Sequence, residues 1–470
     1  MCRYLRVTSM PPGFATYRLL AVLVCLVLSQ GQAAARGPSD APDVVRVVVM
    51  DHESLSRIYV TPRGAALRLT ANGNEWRVAE GEPLRLEKDG RNVLTFVDGQ
   101  RIGVPSLSME LAGAGAFDIT TDDAGSLRTY SGSFDVAVRP DGAGMTLINQ
   151  VPLEDYVASV VGSEYGLDDL EGAKAMAVVA RTYALHTISQ RKPLLDSEQS
   201  QVYLGLKRAT AAARLAASAT AGEVLTWDGT LIEAVYSASN GGRTATNQSL
   251  WDTAQLPYLT SREDPFDEDV SPHSSWRFEM EEKRLESTIS DIFGTDTQSI
   301  RIDQRAPDGR VTRVELKGKE GSRTITGSAF RAALARAFGP MSVKSTYFDL
   351  KEKRNRYVIT GRGFGHGVGL SQWGAHGMAR AGHSYREILA FYYDGTQLAR
   401  LTPREISSGD TLPALAEAVD LPDAAAGWSS GRKEEATEAG TSKRGRVRSL
   451  WRSLTKRGAK ERTETPRLGW

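Results

Sequence analysis

The repeat of apolar residues changes period at residue 151, and no other feature constrains the fold as tightly. Before it, short runs are β-branched or alternate: Val44–Val49, Ala66–Thr70 with an Asn72-Gly73-Asn74 turn, Leu94–Val97 and Phe134–Val138. Runs of this kind bounded by turn residues read as strands. After it, Leu153, Tyr156, Val157, Val160 and Val161 recur at helical spacing. Pro152 suits the start of that helix because its missing N–H would lack a partner there anyway, and Glu154 and Asp155 suit the positive end of the helix dipole. Gly162 is expected to end the helix, leaving Glu164 in a short Gly-Ser-Glu-Tyr-Gly connection. A second helix is predicted from Glu171 to about Ser189, with Ala173, Met176, Ala177, Ala180, Ala184 and Leu185 as a small-residue face for close packing. Residues 223–236 read as a hairpin around Asp228-Gly229, and Ser384–Tyr393 as a last helix. The class this predicts is α+β, with a β-rich region over 44–150 and a mixed core over 151–402.

The ends read differently. Arg3, Arg6 and Arg18 precede an apolar run from Leu19 to Leu28, and Ala33-Ala34-Ala35 follows. The run is too short to span a bilayer and fits a cleaved export signal over 1–35, with a linker over 36–43. The expected location is therefore outside the cytoplasm. The only cysteines, Cys2 and Cys25, fall in that leader, so the exported chain would have neither disulfide nor Cys-ligated zinc. The net charge is +1, which excludes a polycation and argues against a nucleic-acid partner. Charge is concentrated in Thr441–Trp470, where ten Lys/Arg face two Asp/Glu, an excess of +8 that leaves −7 for the rest. Residues 403–470 show no sustained apolar face and read as a disordered tail, its basic end either a solvated segment with no specific partner or one that touches an anionic wall or membrane surface.

Few residues announce chemistry by themselves. Glu164, between Gly162 and Gly166 at a helix exit, is a candidate proton donor if apolar surroundings raise its pKa, although most glutamates are surface groups. The run Gly361-Arg362-Gly363-Phe364-Gly365-His366-Gly367-Val368-Gly369 fits neither a phosphate loop nor a dinucleotide fingerprint. Glycine at that density lets backbone approach backbone or substrate, and His366 within it is either a proton shuttle or a structural histidine. His366, His376 and His383 lack the i, i+4 spacing of a helical zinc motif, so no metal and no cofactor is expected.

Three segments in order resemble the SpoIID/LytB family, named for a sporulation cell-wall enzyme and an amidase enhancer. They are Val151–Val157 through Ser163-Glu164 with Lys174–Ala184; Ser200–Tyr203 with Tyr236–Gly242, Trp251 and Pro257–Leu259; and Gly361–Ala375. The resemblance spans roughly residues 44–400. It implies a peptidoglycan lytic transglycosylase acting on glycan strands stripped of their peptides, with Glu164 as the acid/base and a cell-wall amidase as a possible partner. It further implies Lys174, Arg181, Gln201, Tyr203, Ser239, Gly241, Gly242, His366 and Gln372 as substrate-binding residues of the cleft. Because the nucleophile would be the sugar's own C6 hydroxyl, no second carboxylate is required, unlike in most glycosidases.

Overall fold

A computed structural model describes residues 40–404, apart from 52, 122–126 and 252. The expected export signal, and the tail beyond 404, lie outside the described residues. Two antiparallel arrays dominate the first part of the chain. One has seven strands in the order 194–195, 44–49, 145–152, 133–138, 106–111, 67–71, 74–78, its first pair being parallel. The other has six, in the order 128–130, 116–121, 57–63, 84–89, 92–97, 100–104. Strands such as 57–63 and 67–71 alternate buried and more exposed residues, the period-two pattern of a sheet with one face on a core. Both sheets line one apolar core with Val47, Val60, Leu86, Phe117 and Phe134. The fold is α+β.

The change of period falls inside a continuous element. Strand Met145–Pro152 runs straight into helix Leu153–Glu164, with Pro152 at the junction and Glu154 and Asp155 in the first turn. Strand and helix share one core, which also takes in the long helix Leu170–Ser189 and the helices Ala211–Ala219 and Tyr385–Tyr392. Asp169 caps the long helix by accepting from the Gly172 N–H, and the helix starts one residue before its predicted first residue. Ser384 caps the last one in a reciprocal capping box with Glu387.

Three local expectations change. Gly162 does not end the first helix, which continues to Glu164. Its value is the absence of a side chain: a Cβ there would stand 1.7 Å from the Arg208 carbonyl oxygen. The hairpin is shorter than predicted. Strand Glu223–Trp227 pairs with only Thr230-Leu231, and its other neighbour is Gln397–Arg400. The chain then turns away, and Tyr236-Ser237 pairs in parallel with Leu370-Ser371. Finally, Asp40–Pro42, read as linker, is a strand paired in parallel with Thr402–Arg404.

Residues 276–361 build a second core of their own. Two three-stranded sheets and the helices Glu282–Phe293 and Gly327–Phe338 enclose Leu285, Ile289, Val314, Phe330, Phe348 and Ile359. Among the described residues, no helix is long and apolar enough to cross a membrane.

Candidate active site

Glu164 is the last residue of a helix buried on nearly all sides, and only 3% of it is exposed. Its Oε1 accepts the Val202 backbone N–H at 2.9 Å. Burial pushes the carboxyl up to about 7, against the opposing pull of the Val202 N–H and of the Tyr236 and Gln372 side chains. Oε2 has no hydrogen-bond partner of ordinary length among the described residues, and neither does either amide atom of the fully buried Gln372. Tyr236 and Gln372 nonetheless lie near enough to the carboxyl to favour its charged form.

Several elements fix this geometry. The parallel pairing of Tyr236-Ser237 with Leu370-Ser371 sets Tyr236 beside the start of helix Gln372–Arg380. Tyr156 donates to Gln201 Oε1 at 3.0 Å, so the Gln201 Nε2 faces Tyr236 and donates to its hydroxyl oxygen at 3.3 Å. That leaves the Tyr236 proton available to Glu164. On the other side, Tyr165 donates to Asp169 Oδ2 at 2.8 Å, and His376 Nδ1 meets the same oxygen at 2.7 Å. This link ties the end of the glutamate helix to the helix carrying Gln372. A separate cavity, lined by Tyr183, His186, Gln199, Ser200 and Glu233, does not include Glu164 in its lining.

The remaining resemblance-derived residues divide into three groups. Gln201 and Gln372 join Glu164 as described. His366 lies one step out: its Nδ1 accepts from the Val368 N–H at 3.1 Å, its ring meets Trp251 at 5.3 Å, and it bonds the Tyr236 backbone. Burial, with Arg331 and Arg310 nearby, lowers it to about 4, so it is neutral at pH 7 and is a poor proton shuttle.

Ser239, Gly241 and Gly242 belong to a buried hub centred on Asp267. That carboxylate accepts from Ser239 Oγ at 2.8 Å and the Gly241 N–H at 3.0 Å, and it also binds the hydroxyl of Ser371, which caps the Gln372 helix. The Gly242 N–H donates to Asn240 Oδ1. The 239–242 loop is thus tied through Asp267 to Ser371, the residue that caps the Gln372 helix.

Arg181, Tyr203 and Lys174 have other duties. Arg181 is 0% exposed and grips both oxygens of Glu154, with further bonds to the Ala217 and Glu223 carbonyls. It braces three segments internally and does not reach Glu164. Tyr203 donates to Asn149 Oδ1 at 2.7 Å and packs on Tyr156 and Tyr130 in the core. Lys174 pairs with Glu171 at 2.6 Å and lies over the Tyr385 ring. Sequence reasoning misses the Val202 N–H, which no side-chain pattern reports; Tyr236 falls within the resembling segment Tyr236–Gly242 but is given no role there. His366, His376 and His383 each have separate partners, and among the described residues no group of three or more His, Cys, Asp or Glu is arranged to hold a metal.

Comparison with known proteins decides the family. The Stage II sporulation protein family matches residues 141–227. Stage II sporulation protein D of Bacillus amyloliquefaciens is 30% identical over 277 residues, covering 54% of this chain and 75% of that protein. The chain belongs to the SpoIID family. An uncharacterized protein of Brachyspira hyodysenteriae is 32% identical, over 54% of this chain and 68% of its own length. The amidase enhancer of Bacillus subtilis is 31% identical, but the match spans 49% of this chain and only 38% of the enhancer. Residues 232–369, which include the second core, match a domain of unknown function, DUF8618. In this SpoIID chain, the family match thus begins just before strand 145–152 and includes the whole glutamate helix.

Proposed function

We propose that this chain acts on the bacterial cell wall as an exported lytic transglycosylase, cleaving peptidoglycan glycan beyond N-acetylmuramic acid with Glu164 as its one acid/base. The observation that carries this reading is a carboxyl raised to about 7 inside the fold, with one oxygen free of ordinary hydrogen bonds among the described residues. A general acid works best when its pKa lies near the working pH. Protonated Glu164 donates to the glycosidic oxygen, and an oxocarbenium-like state develops at C1. The Val202 N–H, with Tyr236 and Gln372, then stabilises the carboxylate left behind. That carboxylate takes the proton of the muramic C6 hydroxyl, which closes on C1 to give a 1,6-anhydro end and regenerates the acid. The likeness to an amidase enhancer supports a second reading, in which the protein binds wall glycan and stimulates an amidase without cutting.

Digestion of denuded glycan strands, followed by mass analysis, separates the two. Anhydro-ended products from the wild type that vanish with Glu164→Gln support the enzyme. A wild type that cuts nothing yet raises amidase turnover sinks the first reading in favour of the second.

A further inference from the structure

The glycine-rich loop 361–369 is crowded by cations that the glutamate chemistry does not use. Arg310 is 0% exposed and reaches from the second core to the carbonyls of Asn240 at 2.8 Å and Arg243 at 3.0 Å. It fills the space that a side chain on Gly367 would need, 2.1 Å from that Cβ position. Its Nε and Nη1 have no hydrogen-bond partner among the described residues, and its nearest carboxylate there, Asp308, is 4.0 Å away. Arg362 and Arg310 flank the ring of Tyr347, at 4.3 and 5.1 Å. Arg331 Nε donates to the Lys344 carbonyl, and Lys344 Nζ donates to His273 Nδ1 at 3.3 Å. Among the described residues, no carboxylate lies within 4.0 Å of Arg331, Lys344 or Arg362.

The cluster is unfavourable as a set of charges. Burial lowers Arg331 to about 10 and His273 to about 4, and it lowers Arg310 and Lys344 as well. Asp308 lies at the edge of ion-pair distance from Arg310, and buried cations with so little counter-charge gain when an anion joins them. Guanidinium groups bind planar oxyanions in a two-pronged fashion. Beside the cations, Trp251 is half-buried against His366 and offers a flat apolar ring. A ring face next to positive charge fits an acidic sugar better than a bare phosphate.

We propose that Arg331, Lys344 and Arg362, gathered round the Gly363–Gly367 loop with Arg310 buried behind them, form a carboxylate-binding site for an acidic sugar of the glycan. The fitting group is the lactyl carboxylate that a muramic residue exposes once its peptide is removed. This rests on the glycan reading above and sharpens it, because a peptide-capped residue carries an amide there and offers no charge.

The test uses the full chain and uncleavable probes, so it does not depend on Glu164. Calorimetric titration compares N-acetylmuramic acid, its lactyl methylamide, N-acetylglucosamine and inorganic phosphate. Charge-assisted hydrogen bonds of this kind predict about tenfold tighter binding of the free acid than of the amide, fading as salt rises. The same advantage is lost in Arg331→Gln and in Lys344→Gln, whose melting temperatures report that they are folded. Equal affinity for acid and amide in the wild type overturns the proposal without any variant. So does phosphate binding more tightly than the sugar acid, or an acid preference that survives both substitutions. Cleavage of glycan with no acid preference would sink this site and leave the enzyme standing; an acid preference without cleavage would do the reverse.

Discussion

Replacing Glu164 by Gln should stabilise the protein relative to the wild type as pH rises. Gln has the same shape and can still accept the Val202 N–H through its carbonyl oxygen. In the wild type the folded carboxyl binds its proton more tightly than the unfolded one, with a pKa of about 7 against the ordinary 4.5. The stability this proton provides is complete below 4.5, declines as pH rises to 7, and is absent beyond. At about 1.4 kcal/mol per unit, the shift amounts to about 3 kcal/mol. The amide introduced by the substitution would add a pH-independent cost of about 1–3 kcal/mol if its N–H groups found no acceptor. The readout is therefore the change of the variant-minus-wild-type difference with pH. Denaturant unfolding of both proteins at pH 4 and pH 8.5 should show that difference growing by about 3 kcal/mol in favour of the variant. Asp267 and Asp196, both raised to about 6 chiefly by burial, titrate in the same range but are common to both proteins and cancel. A difference that is flat with pH, or that moves against the variant, would refute the claim that Glu164 is a desolvated acid.

Other perturbations separate chemistry from scaffold. Tyr236→Phe removes a donor that steadies the Glu164 carboxylate, so the alkaline limb of the pH–rate profile should move to higher pH and kcat fall about tenfold. Arg181→Met should cost about 1–3 kcal/mol in unfolding experiments by stranding two buried carbonyls, Glu154 being exposed enough to be solvated, while the pH profile stays where it was. Gly162→Ala must push the glutamate helix off the Arg208 carbonyl; a loss of about 1–3 kcal/mol, read from the unfolding midpoint, should accompany a fall in kcat.

Local pattern carries the elements well and their company poorly. The helices 153–164, 170–189 and 385–392 follow from apolar spacing and their capping residues, which act within a few positions of the chain. The end of the first helix escapes local rules because Gly162 answers to a carbonyl 46 residues later. Arg181 reads as a cleft residue for a similar reason. Nothing in its neighbourhood reveals that Glu154, 27 residues earlier, draws it inward. Tyr236 lies in a resembling segment, but its role escapes notice because a strand residue in a hairpin gives no sign of facing a carboxyl from another segment. Glu164 itself stands out only through resemblance; its spacing alone matches many ordinary glutamates. Its raised pKa is a property of burial, which only the assembled fold provides.

The pairing of Asp40–Pro42 with Thr402–Arg404 has a consequence for how the molecule meets its surroundings. Strands so paired run about 4.8 Å apart. The described chain therefore begins and ends in one ribbon, and because its strands run the same way it enters at one end of the ribbon and leaves at the other. Residues 40 and 404, far apart in the sequence, are near neighbours in space, so the segments that lead into and out of the body meet it at one ribbon.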